Sequence, residues 1–194
     1  GNSKITLLFP SLGHVVAGYL AARKEVRVNV LTQRPSCWKS SLQINTPEGD
    51  VLNGALSLVT DNPELALKDC TIVLLCLPGF AIREQLHKIK PYLTEQTYVG
   101  SVFSSTGFFF HAMEILDQKI PLWGFQRVPF IARTTRYGES ANLLGYKNAH
   151  NIAVERSTDK ENFRARIESL FDAPVRLLDN FYEASLTNSN PLLH

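Results

Sequence analysis

Of the five histidines in the chain, His14 and His194 stand in segments that have chemistry to offer. Imidazole titrates near neutral pH, which suits a proton donor to a carbonyl or an imine. His87 and His111 fall within helical patterns and read as surface or packing residues. His194 ends the run Leu186-Thr187-Asn188-Ser189-Asn190-Pro191-Leu192-Leu193-His194. Thr187, Asn190 and His194 share a face if a helix continues through Pro191, although a terminal histidine also reads as a frayed end. His14 belongs to Phe9-Pro10-Ser11-Leu12-Gly13-His14-Val15-Val16-Ala17-Gly18, a loop between an apolar run and a helical pattern. Glycines in such a loop let a pyrophosphate approach the backbone N–H groups of a helix N-terminus. Gly13 allows that approach, and His14 serves either as a phosphate contact or as a polar residue at the helix start. The full G-x-G-x-x-G pattern is missing: Phe9 and Ser11 fall at its first two glycine positions, and Pro10 removes an N–H donor. A purely structural loop and a dinucleotide-binding one therefore both stay open.

The same question arises at Leu31-Thr32-Gln33-Arg34-Pro35-Ser36. A dinucleotide site normally places a carboxylate here for the ribose 2′-hydroxyl, and this segment has none. Arg34, with Ser36 and Lys39, is able to surround a 2′-phosphate, since guanidinium pairs with phosphate through two parallel hydrogen bonds. That leans slightly to NADP over NAD, and a solvated surface arginine accounts for Arg34 as well.

The elements that must position these residues alternate along the first hundred positions. Residues 5–9 predict a strand, 15–20 a helix, and 25–31 a period-two strand with one polar face. Strand, helix, strand at this length is a βαβ unit with parallel strands. A hairpin is expected over 43–53 around Pro47-Glu48-Gly49-Asp50, then a strand at 56–60 and a short helix begun by Asn62-Pro63-Glu64. Residues 71–77 predict a strand whose run from Ile72 to Leu77 is unbroken and apolar, as expected of a parallel strand covered on both faces. A helix over 80–90, closed by Pro91, leads to a strand at 97–102. Further strands are predicted at 120–125, 128–135, 141–146 and 175–178, with a helix at 159–171. The fold class is α/β, with a doubly wound, mainly parallel sheet and extra strands after the first five or six. Such sheets take ligands outside the carboxyl ends of their strands, at the loops 9–14, 32–36, 77–80 and 101–107.

Composition narrows the partners. With 194 residues, 44% hydrophobic and 20% charged, the chain has the make-up of one globular domain. A net charge of +2 without long runs points to neither nucleic acid nor an anionic membrane. No apolar run is long enough to span a bilayer, and Pro10 ends the first one too early for a signal peptide. Cys37, Cys70 and Cys76 are an odd number in no metal-ligand spacing, so no metal site is expected and a reducing cytoplasm is the simplest home.

In chain order, several segments resemble one family. These are Gly13-His14 with Ala17-Gly18, Val26-Arg27-Val28 with Val30-Leu31-Thr32, and the strand from Leu74 ending in Pro78-Gly79-Phe80. They continue with Ser104-Ser105-Thr106-Gly107-Phe108, Pro129-Phe130-Ile131-Ala132-Arg133, Tyr137-Gly138, Leu144-Gly145 and Asn190-Pro191-Leu192-Leu193-His194. The family is that of the opine dehydrogenases, within a wider set that holds ketopantoate reductase. The resemblance implies a Rossmann-type fold and an enzyme that condenses an amine with a 2-keto acid and reduces the imine with NAD(P)H. It implies His194 as proton donor, with Asn190 and Arg133 orienting the substrate. The cofactor would lie against Pro10, Ser11, Leu12, Gly13, His14, Thr32 and Arg34, with Leu77, Pro78, Gly79 and Ser104 on its nicotinamide side.

Two departures accompany the likeness: the glycine loop is eroded and one residue shorter, and the family's helical substrate domain follows its catalytic histidine, where this chain stops. Residues 1–180 are accordingly expected to form the dinucleotide-binding domain and 181–194 the start of a helix leading to a missing substrate domain, so that the isolated domain is inactive. The alternative is a non-catalytic Rossmann-fold homologue that uses the eroded loop for another ligand or a protein partner. A homodimer is left open.

Overall fold

Apolar strand runs broken by Pro and Gly turns give the order seen in the computed structural model, which describes residues 3–8, 13–102 and 105–182. The elements begin with β1 (Ser3–Leu8), α1 (His14–Ala21), β2 (Val26–Leu31), β3 (Ser41–Asn45), β4 (Val51–Ala55), β5 (Leu58–Thr60), α2 (Pro63–Leu67) and β6 (Ile72–Leu75). After these come α3 (Gly79–Ile89), β7 (Tyr98–Ser101), α4 (Ser105–Ile115), β8 (Leu122–Phe125), β9 (Phe130–Arg136) and β10 (Ser140–Tyr146). The last are β11 (His150–Glu155), α5 (Lys160–Phe171) and β12 (Val175–Leu177). The described residues group into two compact units, one drawn from positions 1–77 and 130–146, the other from positions 78–129 and 147–194.

In the first unit β6, β1, β2 and β5 lie side by side in that order, all parallel. The chain runs outward from β1 through β2 to β5, then returns to the other side of β1 as β6. That reversal makes the carboxyl ends of β1 and β6 a topological switch point. Every residue of β6 is buried, as its unbroken apolar run requires. The polar face predicted for β2 is solvated at Arg27 but not at Asn29. Asn29 is 2% exposed, and its side-chain amide donates to the Ala66 carbonyl near the end of α2, which Thr6 Oγ1 also reaches. A buried amide is tolerated because it is paired.

The extra strands do something the sequence pattern did not indicate. The hairpin β3–β4 is joined by β10 and β9 in a separate four-stranded sheet, ordered β4, β3, β10, β9. Helix α1 packs on it through Gly18. A Cβ at Gly18 would stand 2.5 Å from Ile44 Cγ1, and one at Gly54 would collide with the Gly18 carbonyl oxygen. Both glycines are needed for that close approach.

In the second unit the strands are ordered β12, β11, β8, β7. β7 and β8 are parallel, β11 is antiparallel to β8, and β12 is parallel to β11. Strand β11 lies where no strand is predicted. Its core is aromatic: Trp123 packs edge-on against Phe125 and Phe163, and Phe163 stacks on Tyr98 at 4.0 Å. Arg156 donates to the carbonyls of Met113, Leu116 and Asp117, closing the end of α4.

Candidate functional site

At the switch-point end of the first unit, α1 begins with Gly13 at φ 107, a left-handed conformation that favours glycine, and among the described residues no side chain caps the helix. The expected strand and helix are present, with Gly13 directly before the helix, while residues 9–12 lie outside the described residues. His14, the first helical residue, is 1% exposed. Its Nε2 accepts the Gly138 N–H at 2.9 Å, so the ring proton is on Nδ1, which faces Thr134 Oγ1 at 3.4 Å. The ring stacks on Trp38 at 4.6 Å and meets Tyr137 edge-on at 5.3 Å. It thus ties α1 to the turn between β9 and β10.

Thr32 is buried, and its Oγ1 accepts the Arg34 N–H at 3.3 Å, which sets the course of the chain leaving β2. The Arg34 guanidinium lies 5.5 Å from the centre of the Tyr137 ring, inside the range of a cation–π contact. Arg34 is exposed and pairs with no carboxylate among the described residues. Lys39 and Arg136, by contrast, are both held by Glu139, at 3.1 and 3.2 Å. The Lys39 N–H donates to the Gly138 carbonyl, so the loop after β2 and the β9–β10 turn are fastened together. Gly138, at φ 74, has no room for a side chain against the Cys37 carbonyl. Gly13, His14, Thr32 and Arg34 are therefore gathered at one end of one unit, joined there by Tyr137 and Trp38.

Leu77 is buried just after β6 and belongs to this unit. Arg133 is exposed on β9, the edge strand of the four-stranded sheet. In the second unit Pro78 caps α3, its carbonyl accepting the Ala81 N–H, and Gly79 is the first residue of that helix. Pro10, Ser11, Leu12, Ser104, Asn190 and His194 lie outside the described residues. No cluster of His, Cys, Asp and Glu able to hold a metal occurs among the described residues. No described helix is long and apolar enough to cross a membrane.

No protein-family model matches the sequence. An opine dehydrogenase of Haliotis discus hannai is 27% identical over 217 aligned positions, covering 100% of this chain and 54% of its own length. The chain is a relative of the opine dehydrogenases. Among solved structures, octopine dehydrogenase in complex with NADH and agmatine superposes with a TM-score of 0.85 at 22% identity, over 94% of this chain and 50% of that one. A PanE/ApbA-family ketopantoate reductase from Ralstonia eutropha gives a TM-score of 0.66 at 18% identity. The fold is the mainly parallel Rossmann type expected from the sequence. The chain spans about half the length of the curated relatives it matches.

The residues present fit a dinucleotide of the kind the solved octopine dehydrogenase holds. Gly13 opens a helix that no described side chain caps at the switch point, the arrangement that accepts a pyrophosphate. Gly18 supplies the close helix packing that the third glycine of the usual pattern provides elsewhere. At the end of β2 a cation stands where a carboxylate is usual. Tyr137 and Trp38 escaped the sequence reading because their partners lie far away along the chain. Tyr137-Gly138 entered that reading only as part of the family likeness, although a glycine between two predicted strands is a turn signal that could have marked the spot.

Proposed function

We propose that the chain is the cofactor-binding part of an NAD(P)-dependent oxidoreductase of the opine dehydrogenase type, reducing the 2-keto group of a 2-keto acid or the imine that the acid forms with an amine. The observation that carries this reading is the alignment of the whole chain with an opine dehydrogenase. Residues 1–180 hold the dinucleotide, and 181–194 lead toward the portion that completes the substrate pocket.

When bound, a nicotinamide cofactor supplies the hydride. The start of α1, with the backbone N–H groups of Ser11, Leu12 and Gly13, holds the pyrophosphate, and Pro10 borders it without an N–H to give. His14 keeps that helix start in place through the Gly138 N–H. Thr32 positions Arg34, whose guanidinium takes the 2′-phosphate and sets a preference for NADP over NAD. Leu77, Pro78, Gly79 and Ser104 line the nicotinamide side and exclude water. Arg133 orients the substrate by its charge. His194 gives the proton to the atom that receives negative charge as the C=N or C=O bond is reduced, and Asn190 orients it.

Thermal unfolding tests the reading directly. Millimolar NADPH should raise the melting temperature by several degrees, because a ligand at about 100 times its Kd adds about 2.7 kcal/mol to the folded state. A melting temperature unmoved by both NADPH and NADH rejects it.

A further inference from the structure

The second unit carries a cavity of about 280 Å³ lined by Gln126, Arg127, Lys147, Asn148, Ala149 and Asn151. It opens where β8 ends and β11 begins: Gln126 follows the last residue of β8, and residues 147–149 lead into the first residue of β11. Since β7 and β8 are parallel, this is the end at which such sheets present their carboxyl termini and take ligands.

The cavity's wall is firmly built. The Gln126 N–H donates to the Asn151 carbonyl at 2.9 Å, and the Asn151 amide donates to Gln126 Oε1 at 2.7 Å. Gln126 is 8% exposed. Its chemistry is one-sided, with two cations, three side-chain amides and no carboxylate. Elsewhere Lys39, Arg83, Arg136 and Arg164 are each matched by a glutamate. Neither Arg127 nor Lys147 is in an ion pair among the described residues. Two uncompensated cations beside fixed amide groups make a setting in which an anion gains charge-assisted hydrogen bonds.

We infer that this cavity is a binding site for a small oxyanion, a carboxylate or a phosphate. Its volume equals that of roughly nine waters, enough for inorganic phosphate or a three-carbon keto acid. The assignment does not rest on the dinucleotide reading, because none of the six residues is given there to cofactor or substrate.

The test is a titration of the whole chain with sodium phosphate and, separately, sodium pyruvate at constant ionic strength. The readout is the NMR shifts of the Gln126, Asn148 and Asn151 side-chain amides. Saturable shifts at these groups are expected. Arg127→Gln and Lys147→Gln should each weaken binding about tenfold, whereas Arg27→Gln, on an exposed position of β2 in the first unit, should leave it unchanged. Saturation by pyruvate alone identifies a carboxylate site, by phosphate alone a phosphate site, and by both a general oxyanion site. Shifts that stay linear with concentration, that chloride reproduces, or that persist in both cavity variants overturn the inference. If one variant does not fold, the other decides.

Discussion

Arg34 is held by neighbours that leave its charge available. Tyr137 supports the guanidinium from one side, Thr32 fixes its backbone, and no described carboxylate neutralises it. Removing it should weaken NADPH binding by about tenfold or more, in line with the loss of a charge-assisted pair, and should change NADH binding little. Isothermal titration of Arg34→Ala with both cofactors checks this, and equal losses would take Arg34 away from the 2′-phosphate. His150 makes a separate prediction. It is 5% exposed, between Phe125 and Phe171. Burial, and after it the Lys147 charge, hold its imidazole below the ordinary histidine range. The unfolded chain therefore binds a proton at a pH where the folded chain does not. Stability is complete above the unfolded value of about 6.5 and is lost as pH falls toward the folded one. Urea unfolding at pH 7.5, 6.5 and 5.5 should show this loss, and His150→Gln should flatten it.

At the scale of elements, the contact between α1 and the β3–β4 hairpin rests on two glycines. Gly18→Ala gains about 0.5–1 kcal/mol of helix propensity. It also drives a methyl group into Ile44, which is fully buried and has nowhere to go, and overpacking of that kind costs about 1–3 kcal/mol. The collision wins, so the variant should be less stable in chemical denaturation. Gly107→Ala in α4, where a Cβ meets nothing within 4 Å, should be neutral or stabilising. If both variants behave alike, the packing account of Gly18 is wrong. Much of this scale was legible in the sequence. Asn62-Pro63 marked the start of α2, and Asn62 does accept the Glu64 N–H at 3.0 Å. The apolar run before Pro78 became the wholly buried β6. Strand β11 was missed because His150, Asn151 and Glu155 break its apolar pattern, and their hydrogen-bond partners, Pro174, Gln126 and Phe181, lie elsewhere in the chain.

For the whole molecule, the first unit carries the proposed cofactor end and the second the oxyanion cavity, while the proposed proton donor lies outside the described residues. Turnover is to be sought in a polypeptide that joins this chain to the further length its relatives possess. In that protein His194→Ala should lower kcat about 10²-fold or more, the usual size of a lost general acid, with the KM for the nicotinamide cofactor little changed. An unaltered kcat would remove His194 from the reaction.

Local order was settled by local physics. Apolar periodicity, Pro and Gly breaks and cap residues act over a few positions, so they specified the alternation of strands and helices and the loop that begins α1. They also revealed that the β2 end carries a cation and no carboxylate. What folding alone decided is who meets whom: β9 and β10 joining the β3–β4 hairpin, the burial of Asn29 under α2, and His14 bonding to Gly138 across 124 positions. Such pairings depend on backbone edges and ring faces brought together from distant segments, and no short stretch of sequence contains both partners.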